Sequence, residues 1–148
     1  MNSSGRIMAL DVGDVRTGVA VTDPLQMIAS PHSVVREKSL AAAVDAVARL
    51  TAELEVVLIV AGIPLNREGQ RGPQAEKVLR FLELLRAKVE VEIVTQDERF
   101  STAEAERMLI GADVRRGKRK QVVDKIAATH ILQTFLERRQ RENRDKKD

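Results

Sequence analysis

Acidic side chains stand at three places where the sequence predicts that a strand ends or a helix begins. Asp11 lies in an apolar strand, and Asp124 opens the last helix. The adjacent Asp97 and Glu98 close the fifth strand. A buried carboxylate is costly unless it is paired or bound to a metal. Clustered carboxylate oxygens suit Mg²⁺ or Mn²⁺, and such a cluster can activate water for phosphodiester hydrolysis. These four acids are the candidate catalytic residues.

Each acidic position also has a purely structural interpretation. Asp11 would bond the turn that follows it, and the Asp97–Glu98 pair would cap a helix or form an ion pair with Arg99. Asp124 would be an ordinary helix cap. The expected convergence of these acids at one place favours metal binding over the structural alternatives, because parallel strands bring their carboxyl ends to one edge of a sheet.

The position of Asp124 can be placed from helical periodicity. It shares one stripe of the last helix with Ala127, Ala128, Ile131 and Phe135. The two alanines allow a close approach of the helix to the sheet. A position at the start of the helix would also favour the ionised carboxylate.

The elements that must position these acids follow from hydrophobic periodicity and turn residues. The predicted strands are residues 6–12, 17–22, 33–35, 56–61 and 89–94, the last with the polar alternation of an edge strand. The predicted helices are residues 39–54, 73–88, 101–110 and 122–139, with Ser39 as a cap and Pro73 in the first turn. Residues 111–120 are predicted to form a basic loop.

The order of these elements predicts an α/β fold. Three strands joined by short links favour an antiparallel arrangement, and two further strands reached through helices favour parallel crossovers. We expect a mixed five-stranded sheet flanked by helices, an order similar to that of ribonuclease H-like folds. Residues 1–139 are predicted to form one domain, and residues 140–148 a charged, frayed tail.

Composition excludes several classes of function. The 148 residues include no Cys, which excludes a disulfide framework, a thiolate nucleophile and Cys-ligated zinc. Three Phe are the only aromatic residues, too few for a platform that reads unpaired bases by stacking. The sequence contains neither a long apolar run nor an export signal, so we expect a cytoplasmic protein.

Positive charge is concentrated just before Asp124. Residues 115–120 carry five basic side chains and no acid, so the rest of a chain of net charge +3 sums to −2. Such a patch binds phosphates with a steep salt dependence, although a solvated loop is the usual alternative. We expect recognition of duplex, junction or folded RNA by backbone and shape. The candidate nucleic-acid-binding residues are Arg16, Arg99, Arg115, Arg116, Lys118, Arg119 and Lys120.

The two histidines are interpreted as non-catalytic. His32 follows Pro31 in a turn-like stretch and is expected to be polar surface. His130 lies on the last helix, where a local hydrogen bond is a better explanation than metal ligation or base catalysis.

Four short motifs, in order along the chain, resemble the YqgF/RuvX family. The resemblance covers residues 6–139. The motifs are Asp11-Val12-Gly13 through Gly18-Val19-Ala20-Val21; Gly62-Ile63-Pro64-Leu65 with Gly69; Asp97-Glu98-Arg99-Phe100-Ser101-Thr102 with Ala105-Glu106; and Val123-Asp124-Lys125-Ile126-Ala127-Ala128.

The resemblance implies a ribonuclease H-like fold related to the RuvC resolvases and a nuclease dependent on Mg²⁺ or Mn²⁺. The family is assigned to maturation of the 5′ end of pre-16S ribosomal RNA, and some members are described as Holliday junction resolvases. Carried over by position, the acidic site would be Asp11, the Asp97–Glu98 pair and Asp124. Position alone does not choose between Asp97 and Glu98 as the metal ligand; we favour Glu98 beside Asp11 and Asp124, with Asp97 assisting or orienting. Symmetric cutting of a junction would need two sites and hence a homodimer.

The chain departs from the family pattern at two positions. Asp14 stands after the glycine of the first motif, where the family has a neutral residue, and Ser101 stands where Thr is common. Asp14 would add a further ligand or repel phosphate. Ser101 retains the capping hydroxyl.

Two other classes of function remain open at this point. In a non-catalytic nucleic-acid or ribosome-assembly module, the carboxylates would be caps and the basic loop would bind. A nucleotide phosphatase of the actin/Hsp70 superfamily has a phosphate loop similar to Asp11-Val12-Gly13. Those enzymes clamp their nucleotide between two related domains, whereas this chain has length for one.

Overall fold

The structure is a computed structural model that describes residues 4–66, 68–98 and 116–147. Within 116–147 the backbone is described throughout, and the side chains of residues 126–145. The helix expected over residues 101–110 lies outside the described residues.

Five strands and three helices make up the described chain. The strands are β1 (Arg6–Val12), β2 (Arg16–Thr22), β3 (Ala29–Arg36), β4 (Val56–Ile63) and β5 (Glu92–Asp97). The helices are α1 (Leu40–Glu53), α2 (Pro73–Arg86) and α3 (Arg116–Lys147).

The strands form one mixed sheet in the order β3-β2-β1-β4-β5. β1 pairs with β2, and β2 with β3, in antiparallel fashion. β4 is parallel to β1 and to β5. The predicted mixed five-stranded sheet is therefore confirmed, as is the edge position of the fifth strand.

Helices cover both faces of the sheet, and this explains the continuous apolar sequence of β1. Met8 and Leu10 point to the core beneath α1 and α2, where Phe81 and Leu82 pack. Ile7 and Ala9 point to the opposite core, which they share with residues of α3, among them Ile131. A strand buried on both faces has no polar alternation.

The predicted starts of α1 and α2 are confirmed. Ser39 Oγ accepts a hydrogen bond from the Ala42 N–H at 3.1 Å, which satisfies one of the donors at the start of α1. Pro73 is the first residue of α2, where its missing N–H costs no helical hydrogen bond.

The fifth strand begins three residues later than predicted. The N–H groups of Lys88 and Val89 donate back to the carbonyl of Leu85 at 2.9 and 3.1 Å, so these residues finish the end of α2. Pairing with β4 starts at Glu92, which lies opposite Leu58. The alternating valines before it were therefore misassigned to the strand.

Helix α3 is much longer than predicted. It contains 32 residues, a length of about 48 Å. The expected basic loop is helical from Arg116, and the expected frayed tail is helical to Lys147. Arg, Lys, Gln and Glu are good helix formers, so the charge of these segments did not indicate whether their backbone is helical. Asp124 is consequently the ninth residue of the helix, and the stabilising effect expected from the helix start does not apply to it.

The turn between β2 and β3 is held by Asp23. Its carboxylate accepts from the N–H groups of Leu25, Met27 and Ile28 at 3.2, 2.9 and 2.8 Å. These hydrogen bonds, that of Ile28 foremost, hold the pKa of the Asp23 carboxyl below its ordinary value.

Strand β3 is the outermost strand beside β2. Pro31, which has no N–H, stands opposite Ala20, and the pairing register shifts between Val19 and Ala20. A register shift of this kind marks a bulge. In the part of the chain that the structure covers, no helix is both long and apolar enough to cross a membrane.

Candidate active site at the carboxyl edge of the sheet

Asp11 lies near the carboxyl end of β1 on the face of the sheet that α3 covers. It follows Ile7 and Ala9 in the alternation of the strand, and both pack in the core beneath α3. Asp11 is partly buried and makes polar contacts. A partly exposed carboxylate at a strand end is accessible to a ligand approaching this edge.

Glycines flank Asp11 on both neighbouring strands. Gly18 of β2 is its direct pairing partner. On the other side, Leu10 pairs with Ala61 in parallel register, which places Asp11 beside Gly62. Neither neighbouring position therefore places a side chain beside Asp11 on this face of the sheet, a role that the sequence did not reveal for either glycine.

Glu98 crosses Gly62 from the end of β5. Its N–H donates to the carbonyl of Ile63 at 2.9 Å, which continues the pairing with β4 by one residue. A Cβ built on Gly62 would overlap Glu98 Cγ and would lie 2.6 Å from Ile131 Cδ1. The Glu98 side chain therefore passes directly over Gly62, the residue beside Asp11.

Gln96 fixes the Glu98 carboxylate, and it is a site residue that the sequence analysis missed. Its Nε2 donates to Glu98 Oε1 at 2.9 Å and to the carbonyl of Ile131 at 3.0 Å. Gln96 is 4% exposed; its hydrogen bond to Ile131 is buried and that to Glu98 is partly buried. One amide thus joins the Glu98 carboxylate to helix α3. A polar residue two positions before Glu98, on the same strand face, was the available signal.

Asp97 occupies the opposite face from Glu98. It pairs with Ile63 as the last residue of β5 and is exposed, and it makes polar contacts of its own. Neighbouring strand residues project to opposite faces. Of the two adjacent acids, Glu98 is therefore the one that shares the face of Asp11.

Asp124 is placed only by its backbone, because its side chain lies outside the described set. It belongs to the stripe of α3 that continues with Ala127, Ala128 and Ile131. Those three residues are 1%, 0% and 1% exposed. The stripe that carries Asp124 is thus the one that packs on the sheet.

The turn after Asp11 brings a further acid to this edge. The Gly13 N–H donates to the carbonyl of Arg16 at 2.9 Å, and a Cβ at position 13 would lie 2.6 Å from that oxygen. The turn therefore requires glycine. Asp14 forms an ion pair with Lys77 of α2 at 2.7 Å, with both side chains 60% exposed, so its charge is matched by a cation.

The candidate nucleic-acid-binding residues are described unevenly. Arg16 begins β2 and makes polar contacts. Arg116, Lys118, Arg119 and Lys120 lie in the first turns of α3, described by backbone alone. Arg99 and Arg115 lie outside the described residues. His32 is exposed beside Ser33 Oγ at 2.9 Å, and His130 is partly buried with polar contacts.

The donor set at this edge suits a hard cation. Asp11 and Glu98 supply carboxylate oxygens, the ligands that Mg²⁺ and Mn²⁺ prefer. Among the described side chains, no three His, Cys, Asp or Glu residues form a group that could hold a metal ion. A third carboxylate would have to come from outside that set, and Asp124, on the stripe of α3 that packs on the sheet, is the candidate.

The family of the protein follows from a comparison with known sequences. The family model described as "RuvX: Holliday junction resolvase" matches residues 5–138. The chain belongs to the RuvX family. The predicted family is thus confirmed, and the match includes the four motifs from which it was predicted.

Individual RuvX relatives match along nearly their whole length. One from Desulforamulus reducens is 48% identical over 132 residues, which cover 89% of this chain and 96% of the relative. One from Caldanaerobacter subterraneus is 45% identical over 133 residues, with coverage of 89% and 96%. Both bear the name "Putative pre-16S rRNA nuclease".

Solved structures confirm the ribonuclease H-like fold. RuvC of Thermus thermophilus in complex with a Holliday junction substrate matches with a TM-score of 0.55 and 15% identity, over 90% of this chain and 95% of that one. The Holliday junction resolvase of fowlpox virus matches with a TM-score of 0.54 and 14% identity, over 89% and 97%. At such identities the likeness establishes the fold alone.

Proposed function

We propose that this RuvX protein is a metal-dependent endonuclease that hydrolyses phosphodiester bonds in structured nucleic acid. Asp11, Glu98 and Asp124 hold Mg²⁺ or Mn²⁺, and Asp97 assists from the neighbouring position. The observation that carries the proposal is that Asp11 and Glu98 share one face of the sheet, where the Glu98 side chain lies over Gly62, the residue beside Asp11.

The bound ion would supply an activated water and would stabilise the leaving oxygen. Each protein group has a separate task. Asp11 and Glu98 provide anionic oxygens at the sheet edge, and Gln96 keeps the Glu98 carboxylate in one orientation through a 2.9 Å hydrogen bond. Without Gly62, the Glu98 side chain would have no room to cross β4.

The backbone of the nucleic acid is bound by basic residues near the start of α3. Arg116, Lys118, Arg119 and Lys120 stand within nine residues of Asp124 along the helix, so phosphate groups held there lie near the carboxylate edge. Arg16, Arg99 and Arg115 complete the proposed set. Binding of this kind weakens steeply with salt.

The proposed substrate is the 5′ region of pre-16S ribosomal RNA, with branched DNA as the second candidate. The first choice rests on the name that the relatives at 48% and 45% identity bear. The second rests on the family description and on the junction bound by the structural neighbour. We further propose a cytoplasmic protein with one catalytic domain over residues 1–139, which forms a homodimer for symmetric cutting of a junction.

Cleavage assays with matched variants test the proposal. Wild type, Asp11→Asn and Glu98→Gln are incubated with a pre-16S RNA fragment and with a four-way junction, in Mg²⁺ and in Mn²⁺. Asp45→Asn serves as the control, because Asp45 pairs with Lys88 on the surface at 2.9 Å. We expect both site variants to lose activity by several orders of magnitude while the control retains it.

A calorimetric titration of Mn²⁺ into wild type and Asp124→Asn tests the third ligand. We expect weaker binding by the variant. Equal cleavage by Asp11→Asn and wild type would refute the metal mechanism. Tight nucleic-acid binding without turnover in any divalent metal would instead favour a non-catalytic ribosome-assembly module.

A further inference from the structure

A groove opens beside the tip of the β1–β2 hairpin on the face opposite α3. It consists of two adjoining cavities, of about 240 and 440 Å³, which share Val15 and Ser39. The first cavity lies between the hairpin, the start of α1 and α2, and the second continues along the end of β3. We call the two together the hairpin groove.

The floor of the hairpin groove is apolar, with exposed aliphatic side chains beside the buried Phe81. Val15 is 66% exposed and Leu40 is 37% exposed, and Ala43 and Val12 line the same cavity. Large apolar side chains left open beside a cleft are typical of a binding surface.

The rim of the hairpin groove has an excess of positive charge. Arg36, Lys38, Lys77 and Arg80 line it, against Asp14 and Glu37. Lys77 is matched by Asp14. The other three cations form no hydrogen bond or ion pair with their side chains among the described residues. Three unmatched cations against one remaining acid favour an anionic occupant.

The hairpin groove begins at the same edge of the sheet as the candidate site. Val12 and Gly13 line it and directly follow Asp11 in the chain. It therefore lies on one side of the carboxylate edge, and α3 lies on the other. A nucleic acid that crosses the edge near Asp11 reaches the groove within a few nucleotides.

We infer that the hairpin groove binds an unpaired strand of the substrate next to the cleavage position. The inference rests on the proposed function for its substrate class, nucleic acid. Cavities of this size admit single nucleotides and not a double helix. The apolar floor offers bases a contact surface without stacking, and only an unpaired strand exposes its base faces, while Arg36, Lys38 and Arg80 contact its phosphates.

Fluorescence anisotropy in EDTA measures this binding without cleavage. Two labelled RNA hairpins of the same duplex sequence, closed by the same compact tetraloop, are compared, one with a blunt end and one with a short single-stranded 5′ extension. The variants are Arg80→Gln and Val15→Asp. Arg86→Gln is the matched control, because it removes the same charge from an exposed position at the far end of α2. Circular dichroism verifies that each variant is folded.

Wild type is expected to bind the extended hairpin more tightly than the blunt one. Arg80→Gln should weaken binding of the extended hairpin about fivefold, the effect of one exposed charged contact, and should lower its salt slope by about 0.7. Val15→Asp should weaken it further, because it replaces apolar floor with negative charge. Binding of the blunt hairpin should stay unchanged in both, and Arg86→Gln should behave as wild type.

Equal affinity of wild type for the two hairpins would overturn the inference, as would an Arg80→Gln variant that binds both as wild type does. A variant that loses affinity equally for both hairpins would also overturn it. The proposed function is judged separately, by whether wild type cleaves RNA in Mg²⁺ or Mn²⁺ and Asp11→Asn does not.

Discussion

Replacing Gln96 with Met tests whether the Glu98 carboxylate must be held in place. Met has nearly the same length and volume but no amide, so it removes both hydrogen bonds while filling the same space. The substitution cuts the link between Glu98 and the Ile131 carbonyl. Gln96 is a positioning residue in this reasoning, since it acts on the reaction only through Glu98.

The expected loss of stability follows from the two hydrogen bonds. The bond to the Glu98 carboxylate, at 2.9 Å, is of a kind worth about 1.5–3 kcal/mol, and the bond to a carbonyl about 1 kcal/mol. Burial of the Met side chain returns about 1 kcal/mol. The free energy of unfolding should therefore fall by about 1.5–3 kcal/mol, and Tm by roughly 3–12 °C.

Urea unfolding followed by circular dichroism measures the change in stability. Steady-state cleavage, well below the Tm of the variant, measures the change in activity. We expect kcat to fall at least about tenfold, which corresponds to roughly 1.4 kcal/mol of transition-state stabilisation, with little change in KM. Gln133→Met is the control, because Gln133 is exposed on α3 and its replacement should change stability by no more than about 0.5 kcal/mol.

A Gln96→Met variant as stable as wild type would refute the energetic reasoning. A variant that loses stability but keeps full kcat would show that Gln96 supports the fold and does not position Glu98. An increase in KM with unchanged kcat would point instead to a role in substrate binding.

Three further predictions concern the same edge and the β2–β3 turn. Gly62→Ala should displace Glu98, lower the free energy of unfolding by about 1–3 kcal/mol and reduce kcat. Gly72→Ala is its control, since a Cβ there meets nothing within 4 Å. Equal cleavage rates for the two variants would contradict the prediction. In thermal unfolding, saturating Mn²⁺ at about 100 times its Kd should stabilise wild type by about 2.7 kcal/mol, and the same shift in Asp11→Asn would exclude that carboxylate as a ligand. Because the pKa of Asp23 is lowered in the fold, its contribution to stability is present above the unfolded pKa of about 3.9 and is lost as pH falls through the folded pKa. Urea midpoints of wild type and Asp23→Ala should thus differ at neutral pH and converge in acid, and a difference that persists unchanged would contradict this assignment.

The order of strands and helices was predictable because each core element has its own pattern of apolar residues and its own capping or turn residues. β1 and β4 are built around continuous apolar runs. Helix α1 begins directly after its cap Ser39, and α2 begins at Pro73. The bounds of β5 were not predictable from alternation alone. Val89 alternates with polar neighbours in the sequence, yet its N–H completes the end of α2. Local patterns do not reveal which backbone partner will be nearer.

The prediction of where α3 starts was wrong for a different reason. A basic run containing Gly117 resembles a loop in composition, but its arginines and lysines are good helix formers. The structure continues the helix from Arg116 without a break. Charge describes where a segment meets solvent and says little about its backbone.

The candidate site was predictable as a set of acids, but its supporting residues were not. Asp11 and Glu98 could be placed at one edge from strand direction alone. The choice between Asp97 and Glu98 depends on which face each occupies, and this follows from the register Ile63–Asp97. Gln96 and Gly62 carry no ionisable or metal-binding group that would mark them as site residues in the sequence. Their roles follow from contacts between β4, β5 and α3, which are distant in sequence.

The exposed margin of β3 has a consequence for solubility. An outer strand presents unpaired peptide groups that can recruit a strand from another molecule and seed aggregates. In β3, Pro31 has no N–H to donate to an added strand. The bulge opposite Val19 and Ala20 bends this edge strand, so that it is not a flat template for pairing. The edge strand also ends at Arg36, so the positive charges of two approaching copies would repel each other there. Replacing Pro31 would therefore remove a safeguard against fibril-like stacking while leaving the interior of the protein intact.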